Sequence, residues 1–227
     1  MKISCIICAY NEASRIGEVL KAVANHPLLD EVLVVDDASK DNTVKVVYQF
    51  TSVQLIALQK NCGKSRALIH GLLAAKNDFV MLLDADLIGI TSDDVTALAK
   101  PIIEDQADVS LSLRKNALAI HHLIGIDFTS GERVIPRTLL ADVLDKIDRL
   151  PHFGIESYMN SLIIKKRLRI AIVSWENVTH VRKSQKYGFI RGTLSDLGMA
   201  VDVLRVLSPL AVIRQNYQLL ALCTKKE

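Results

Sequence analysis

The 227-residue sequence lacks an uninterrupted apolar stretch of the roughly 18 residues that a membrane-spanning helix needs. It also lacks a signal-peptide pattern, because its short apolar beginning passes at once into sequence typical of a folded domain. Its four cysteines have no zinc-ribbon spacing, so free thiols in a reducing compartment are expected. The net charge of +3 is too small for a dedicated nucleic-acid binder. These absences predict a cytoplasmic protein with no nucleic-acid partner.

The sequence does contain enough apolar residues, 50%, to build the core of one compact domain. Its charges are unevenly distributed. Residues 1–108 carry 10 basic and 15 acidic side chains, whereas residues 109–227 carry 18 and 10. An acidic half beside a basic half suits a site that holds a cation together with a phosphorylated ligand.

Short apolar runs alternate with segments of helical periodicity over residues 1–113. This alternation predicts an α/β fold with a mostly parallel sheet flanked by helices. Residues 114–192 are predicted to complete the same domain and to include helices over Pro136–Ile147 and Glu156–Lys166. Residues 193–227 have helical spacing and predict a C-terminal helical tail.

Polar clusters directly follow several of the apolar runs. In open α/β sheets, ligands bind beyond the carboxyl ends of the parallel strands, so one edge of the sheet would gather these clusters. They are Glu12, Asp36-Asp37, Asn61-Cys62-Gly63-Lys64 and Asp84-Ala85-Asp86.

Each cluster suits a particular ligand group. Residues i and i+2 of an extended chain point to the same side, so Asp84 and Asp86 can reach one Mg²⁺ or Mn²⁺ ion. A solvated turn that caps the next helix is the alternative interpretation. Asp36 and Asp37 suit hydrogen bonds from a base or a ribose, or else a helix cap. Lys64 follows a glycine at a predicted helix start, where an ammonium group suits a phosphate.

The second half of the chain offers further charged candidates. His180 lies in a basic, glycine-containing stretch over residues 178–192, which predicts either a phosphate-binding loop or a solvated surface. Glu156 begins a predicted helix, where a negative charge is favourable in any case. The adjacent pair His121-His122 is expected to be solvated.

Four segments together carry a resemblance to a known family. They are Ala9-Tyr10-Asn11-Glu12-Ala13, Val35-Asp36-Asp37-Ala38-Ser39, Asn61-Cys62-Gly63-Lys64 and Leu83-Asp84-Ala85-Asp86. In this order and spacing they resemble the family-2 glycosyltransferases of soluble bacterial and archaeal type. The resemblance implies a GT-A-type, Rossmann-like fold and metal-dependent, inverting transfer of a sugar from a nucleoside-diphosphate sugar.

The resemblance also implies roles for single residues. Glu156 would be the catalytic base, and Gly131 and Arg133 would border the acceptor. Asp84, Asp86 and His180 would hold Mg²⁺ or Mn²⁺. The donor would be a UDP-sugar, because most members use UDP, and the acceptor a small molecule or a lipid-linked one. The nucleotide-sugar contacts would be Ala9, Tyr10, Glu12, Asp36, Asp37, Lys64, Asp84, Ala85 and Asp86.

Some features depart from the family or leave alternatives open. Cys8 stands where members commonly have proline, and no Q-x-x-R-W motif is present, so a processive polymerase is not expected. A nucleotidyltransferase and a non-catalytic nucleotide-sugar-binding protein are the alternative functions. The tail over residues 193–227 would complete the core, form a homodimer interface, or lie on a membrane surface as a peripheral contact.

Overall fold

The structure is a computed structural model that describes residues 2–117, 119–150, 154–180 and 209–224. Seven of the described strands form one sheet, in the order β3-β2-β1-β4-β7-β6-β8. They are β1 (Ile3–Ala9), β2 (Leu29–Asp36), β3 (Val53–Ala57), β4 (Phe79–Asp84), β6 (Val109–Arg114), β7 (Arg133–Pro136) and β8 (Ile170–Trp175). All neighbouring strands are parallel except that β7 runs antiparallel to β4 and β6. The predicted mostly parallel sheet is therefore confirmed.

Helices cover both faces of the sheet. On one face lie α1 (Ile16–Val23), α2 (Thr43–Val47) and α4 (Ser92–Ile103). On the other lie α3 (Lys64–Ala74), α6 (Thr138–Ala141), α7 (Leu144–Ile147), α8 (Ile155–Lys166) and α9 (Pro209–Leu220). Alternate residues of β1 serve the two cores: Cys5 and Ile7 pack on one face and Ile6 on the other. Burial on both sides explains why β1 is a continuous apolar run.

Two short elements outside this arrangement matter for the site. A small antiparallel sheet pairs β5 (Leu87–Ile88) with β9 (Thr179–His180). The helix α5 (Ala119–Ile124) follows β6.

The prediction of one helix over Pro136–Ile147 is wrong. Pro136 is the last residue of β7, paired with Phe79, and two short helices, α6 and α7, follow it. A proline has no N–H to donate, and both the end of a strand and the start of a helix tolerate this lack. The helical spacing of the following residues therefore could not show which of the two Pro136 occupies.

The described part of the C-terminal tail packs against the domain. Gln215 Nε2 donates to Ser157 O and to Ser161 Oγ of α8, at 3.1 and 2.9 Å, and Leu219 is fully buried. Residues 193–208 and 225–227 of the predicted tail lie outside the described residues. Within the described ranges, no helix is both long enough and apolar enough to cross a membrane.

Gly71 marks the close approach of α3 to the sheet. A Cβ atom added there would lie 2.5 Å from Ile6 Cγ2 and 3.3 Å from Val35 Cγ2. Gly71→Ala should therefore lower the free energy of unfolding by about 1–3 kcal/mol, because the core must move to accept the methyl group. Urea denaturation measures the change. The matched control is Gly17→Ala in α1, where the nearest atom, Val46 Cγ1, is 3.5 Å away and the stability should hold or rise slightly. Equal effects at both glycines would contradict this packing.

Candidate active site

The carboxyl ends of three parallel strands bring the predicted polar clusters to one edge of the sheet. Cys8 of β1 pairs with Val35 of β2 on one side and with Asp84 of β4 on the other, and Ala9 pairs with Asp36. Two strand spacings separate β2 from β4, so the backbones of Asp36 and Asp84 are roughly 10 Å apart. The predicted convergence of the clusters at one edge is confirmed for these strand ends.

Hydrogen bonds join the loop after β1 to the loop after β2. The Asn11 backbone N–H donates to Ser39 Oγ at 2.8 Å, and the Lys40 N–H donates to Asn11 Oδ1 at 2.7 Å. The Glu12 N–H donates to Thr43 Oγ1 at 2.9 Å. Asn11 has a φ of +56°, a left-handed conformation that asparagine adopts more readily than most residues. The two loops therefore form one rigid rim at the end of β1 and β2.

The predicted nucleotide contacts Tyr10 and Glu12 lie on this rim. Tyr10 is partly exposed. Glu12 is largely buried, and its Oε2 accepts a hydrogen bond from Arg15 Nη1 at 2.8 Å. The rim thus presents an aromatic ring to solvent beside a partly buried ion pair.

Asp36 and Asp37 have different surroundings although both are buried. Asp37 accepts backbone hydrogen bonds from the Cys62 and Gly63 N–H groups, at 2.7 and 2.8 Å, and so ties β2 to the start of α3. Asp36 Oδ2 accepts from the Ser39 N–H at 3.0 Å, while Asp36 Oδ1 is buried with no hydrogen-bond partner among the described residues. Asp37 therefore anchors the loop that leads into α3, and Asp36 retains an acceptor.

Lys64 is the centre of the site. Its Nζ lies 2.9 Å from Asp84 Oδ1 and 2.9 Å from Glu156 Oε1. The three residues belong to different elements: Lys64 begins α3, Asp84 ends β4, and Glu156 lies in the first turn of α8. One ammonium group thus joins two carboxylates that are distant in the sequence.

The charges of this cluster stabilise one another. Burial alone would raise the pKa of Asp84, but the Lys64 ammonium outweighs it and holds that pKa at about 2. Burial would likewise lower the pKa of Lys64, but the carboxylates of Asp84 and Glu156 raise it well above its ordinary value. Lys64 is therefore cationic and Asp84 anionic at neutral pH.

The floor next to Lys64 is apolar. Burial raises the pKa of the Cys8 thiol to about 12, so this residue is neutral. A pocket opens beside Lys64. The polar part of its lining comes from Lys64, Asp84, Gly131 and Glu156. The apolar part comes from Ile6, Cys8, Leu68, Leu82, Leu83, Ile155 and Met159.

The predicted acceptor residues differ in exposure to this pocket. Gly131 is part of its wall. Arg133 is fully buried: its Nη1 donates to Asn160 Oδ1 at 3.2 Å and its Nη2 donates to Ser130 O. The Arg133 guanidinium is therefore turned into the protein, where it joins the 130–133 segment to α8.

Gly131 touches the ion pair so closely that a side chain would displace it. An added Cβ would lie 3.0 Å from both Asp84 carboxylate oxygens and 3.1 Å from Lys64 Nζ. We expect Gly131→Ala to lower kcat/KM on the order of 10-fold, because small misplacements of reacting groups are costly. Steady-state kinetics measures this loss. An unchanged kcat/KM would show that the Lys64–Asp84 geometry does not limit the reaction.

A buried ionic cluster lies behind the site, and the sequence analysis did not identify it. Arg114 pairs through Nη2 with Asp127 Oδ2 at 3.3 Å and through Nη1 with Glu132 Oε1 at 3.2 Å. Ser112 and Ser130 hydroxyls lie 3.0 and 2.7 Å from Glu132 Oε2. Arg114 is the last residue of β6. A charged residue at the end of an apolar run, the pattern that pointed to Asp84, could therefore have pointed to Arg114 as well.

His121 belongs to this cluster, so the expectation that the His121-His122 pair is solvated is wrong for one member. His121 is almost fully buried, with Nδ1 3.1 Å from Asp127 Oδ1 and its ring edge-on to Phe128. His122 is exposed, as expected. The α5 helix separates the two environments because adjacent helical residues point in different directions.

The side chains that could hold a divalent cation are Asp84, Asp86 and His180. His180 pairs with Leu87 in the β5–β9 sheet, so it faces the segment that follows Asp84-Ala85-Asp86. Burial, together with the Arg114 charge, lowers the pKa of His180 even though Asp86 and Asp84 oppose the shift. Its Nδ1 is buried with no hydrogen-bond partner among the described residues. The two carboxylates suit Mg²⁺ or Mn²⁺, and a neutral imidazole nitrogen can serve as a further ligand.

These donors do not form a closed ligand shell in this conformation. Within residues 2–117, 119–150, 154–180 and 209–224, no three His, Cys, Asp or Glu side chains come together as a ready metal cluster. The carboxylate of Asp84 is directed at Lys64 instead. Most of the predicted phosphate-binding loop, residues 181–192, and residues 151–153 before Glu156 lie outside the described residues.

Comparison with solved structures supports the architecture. The glucosyl-3-phosphoglycerate synthase of Mycobacterium tuberculosis, in complex with Mn²⁺, UDP and glucosyl-3-phosphoglycerate, superposes with a TM-score of 0.70 at 24% identity. The match covers 93% of this chain and 80% of that one. The same enzyme with Mg²⁺ and UDP gives a TM-score of 0.70 at 23% identity, over 93% and 79% of the two chains. At this identity the likeness establishes the GT-A fold.

Curated relatives match a 90-residue stretch of the chain. The poly-beta-1,6-N-acetyl-D-glucosamine synthase of Staphylococcus epidermidis is 32% identical over 90 residues, and that of Staphylococcus aureus strain COL is 36% identical over 90 residues. Both alignments cover 38% of this chain but 22% of the relative, so the chain matches about a fifth of their length. The family model described as "Glycosyl transferase family 2" matches residues 4–118, about half of the chain. The chain belongs to glycosyl transferase family 2.

Proposed function

We propose that this protein transfers a sugar from a UDP-sugar to a hydroxyl or phosphate acceptor, with inversion at the anomeric carbon and with Mg²⁺ or Mn²⁺ as cofactor. The observation that carries the proposal is the contact of Lys64 with both Asp84 and Glu156, at 2.9 Å each. The contact supports the proposal because the two carboxylates, one for the metal and one for the base, would flank the Lys64 ammonium group at the edge where β1 and β2 also end.

The nucleotide would bind along the rim. Ala9 ends β1 and Tyr10 follows it, and the buried Asp36 Oδ1 offers an acceptor to a base or ribose. Glu12 and Asp37 hold the two loops in place through their contacts with Arg15 and with the start of α3. The ligands bound in the structural relatives, UDP with Mn²⁺ or Mg²⁺, support UDP as the nucleotide.

Asp84, Asp86 and His180 would hold the cation, with Ala85 between the two carboxylates. A bound divalent cation would neutralise charge on the diphosphate leaving group. Asp84 has a pKa of about 2, so it is ready as an anion at neutral pH. Lys64 would add a second positive charge near the diphosphate.

Glu156 would act as the general base. Its carboxylate would take the proton of the acceptor hydroxyl while the acceptor oxygen bonds to the anomeric carbon and the bond from that carbon to the diphosphate oxygen breaks. The electron pair of the broken bond leaves with UDP, and displacement from the opposite side inverts the configuration. Glu156 is only 15% exposed, and its Oε1 accepts a hydrogen bond from Lys64 Nζ at 2.9 Å, which holds the carboxylate in place.

The acceptor would approach past Gly131, with Arg133 holding that wall from behind.

The location of the protein would depend on the class of acceptor. A small-molecule acceptor would suit a protein in the cytoplasm, and a lipid-linked acceptor would suit one at the membrane face. Because residues 209–224 pack against α8, membrane contact is best tested on the intact chain. Co-sedimentation with anionic vesicles tests whether the protein binds a membrane surface. Light scattering tests whether it forms a homodimer.

A thermal-shift panel of UDP-, GDP- and dTDP-sugars, each with and without Mn²⁺, tests the proposed donor. A ligand at 100 times its Kd stabilises the folded state by about 2.7 kcal/mol. For a chain of this size that corresponds to a rise in Tm of roughly 5–10 °C. We expect this rise for a UDP-sugar with Mn²⁺. A rise with GDP- or dTDP-sugars alone would overturn the choice of UDP, and a rise with none would contradict the donor site.

A further inference from the structure

Asn116 makes a two-point contact with the backbone of His180. Asn116 Nδ2 donates to His180 O at 2.9 Å, and the His180 N–H donates to Asn116 Oδ1 at 3.4 Å. The side-chain amide thus satisfies both backbone groups of one residue, as a neighbouring strand would. The adjacent Lys115 N–H donates to Val178 O at 3.2 Å, so the turn after β6 holds the whole segment that leads to His180.

The segment needs this support because its own sheet is very small. β5 and β9 contribute two residues each, and an isolated pair of such strands is at best marginally stable. Val178 is fully buried, so the segment is anchored on one side of His180 by packing and at His180 by Asn116.

His180 has the properties of a residue that must be held in position. Its Nδ1 is buried and has no hydrogen-bond partner among the described residues, although Asp84 and Asp86 are near enough to affect the imidazole. A buried ring nitrogen left unpaired is costly unless a ligand meets it. The contact with Asn116 holds the backbone from which this ring extends.

We infer that Asn116 is a positioning residue that presents His180 to the divalent cation. The inference rests on the proposed function, which assigns Asp84, Asp86 and His180 to that cation. Asn116 itself would touch neither the cation nor the sugar nucleotide. Its effect would pass entirely through the position of the His180 backbone.

Mn²⁺ binding in the presence of UDP, followed by the electron paramagnetic resonance signal of free Mn²⁺, tests the inference without any turnover. We expect Asn116→Ala and the nearly isosteric Asn116→Leu to raise the Kd for Mn²⁺ on the order of 10-fold, as loss of a residue that orients a metal ligand typically does. Asn77→Ala is the matched control, because Asn77 also makes side-chain hydrogen bonds but at the opposite edge of the sheet, to Ser4. It should leave the Kd unchanged.

A double-mutant cycle separates positioning from general damage. In the His180→Ala background, Asn116→Ala should cause no further loss of Mn²⁺ affinity, because the residue through which it acts is gone. Wild-type affinity in both Asn116 variants, or an equal loss with and without His180, would overturn the inference. No Mn²⁺ binding by the wild-type protein with UDP would instead overturn the proposed metal dependence, and the inference with it.

Discussion

Glu156→Gln should lower kcat by about 10²–10⁴-fold, the usual contribution of a general base. Glutamine keeps an oxygen that can accept the hydrogen bond from Lys64, so the pocket should keep its shape while losing its proton acceptor. The affinity for the donor should therefore change little. Release of UDP from the donor that the thermal-shift panel selects measures the rate, and titration calorimetry measures the donor affinity.

Glu18→Gln is the matched control for this experiment. Glu18 also lies in the first turn of a helix, α1, but it is exposed and on the opposite face of the sheet from α8. Its variant should retain the wild-type kcat. A Glu156→Gln enzyme with wild-type kcat, or a product whose anomeric configuration is retained, would remove Glu156 from the role of base.

Arg114→Met should lower the free energy of unfolding by about 3–5 kcal/mol. The substitution leaves Asp127 and Glu132 buried without their cation, and both side chains are essentially inaccessible to water. Burial already raises the pKa of Glu132 despite Arg114, so loss of the arginine should favour its protonated form further. The destabilisation should accordingly shrink as the pH falls, because protonation removes the uncompensated charge.

Arg169→Met offers a control with the same chemistry in water. Arg169 also pairs with two carboxylates, Asp105 and Asp108, but these ion pairs are on the surface. Surface ion pairs contribute little to the free energy of unfolding. Arg169→Met should therefore lower that free energy far less than Arg114→Met does. Urea denaturation of both variants at pH 7 decides the matter. An equal loss of stability in both variants would mean that the burial of the Arg114 cluster does not determine how much it contributes to stability.

The parallel part of the sheet was predictable because its strands are buried on both faces. β1, β2 and β4 appear in the sequence as short continuous apolar runs, each followed at once by acidic or amide residues. A parallel arrangement puts those residues at one edge, so Asp36 and Asp84 could be placed near each other before any coordinates. The family resemblance carried by the same motifs then supplied the expected chemistry.

The second half of the chain was less predictable because its contacts are not local. β7 runs against its neighbours, and Pro136 ends it, although the following residues have helical spacing. The Arg114 cluster joins β6 to a segment 13–18 residues further along, which no periodicity reveals. The contact of Asn116 with His180 spans 64 residues and depends on the fold. Charged residues that face inward look like surface residues in a sequence.

Calorimetric titration of UDP in the presence of Mn²⁺ tests most directly whether the sheet edge at Asp84 is the donor site. Wild-type protein and Glu156→Gln should bind UDP with similar Kd values, whereas Asp84→Asn should bind about 10-fold more weakly or worse. We expect this difference because Asp84 would hold the cation beside the diphosphate and Glu156 would meet only the acceptor. Equal affinities for wild type and Asp84→Asn, or no UDP binding by the wild type, would contradict it.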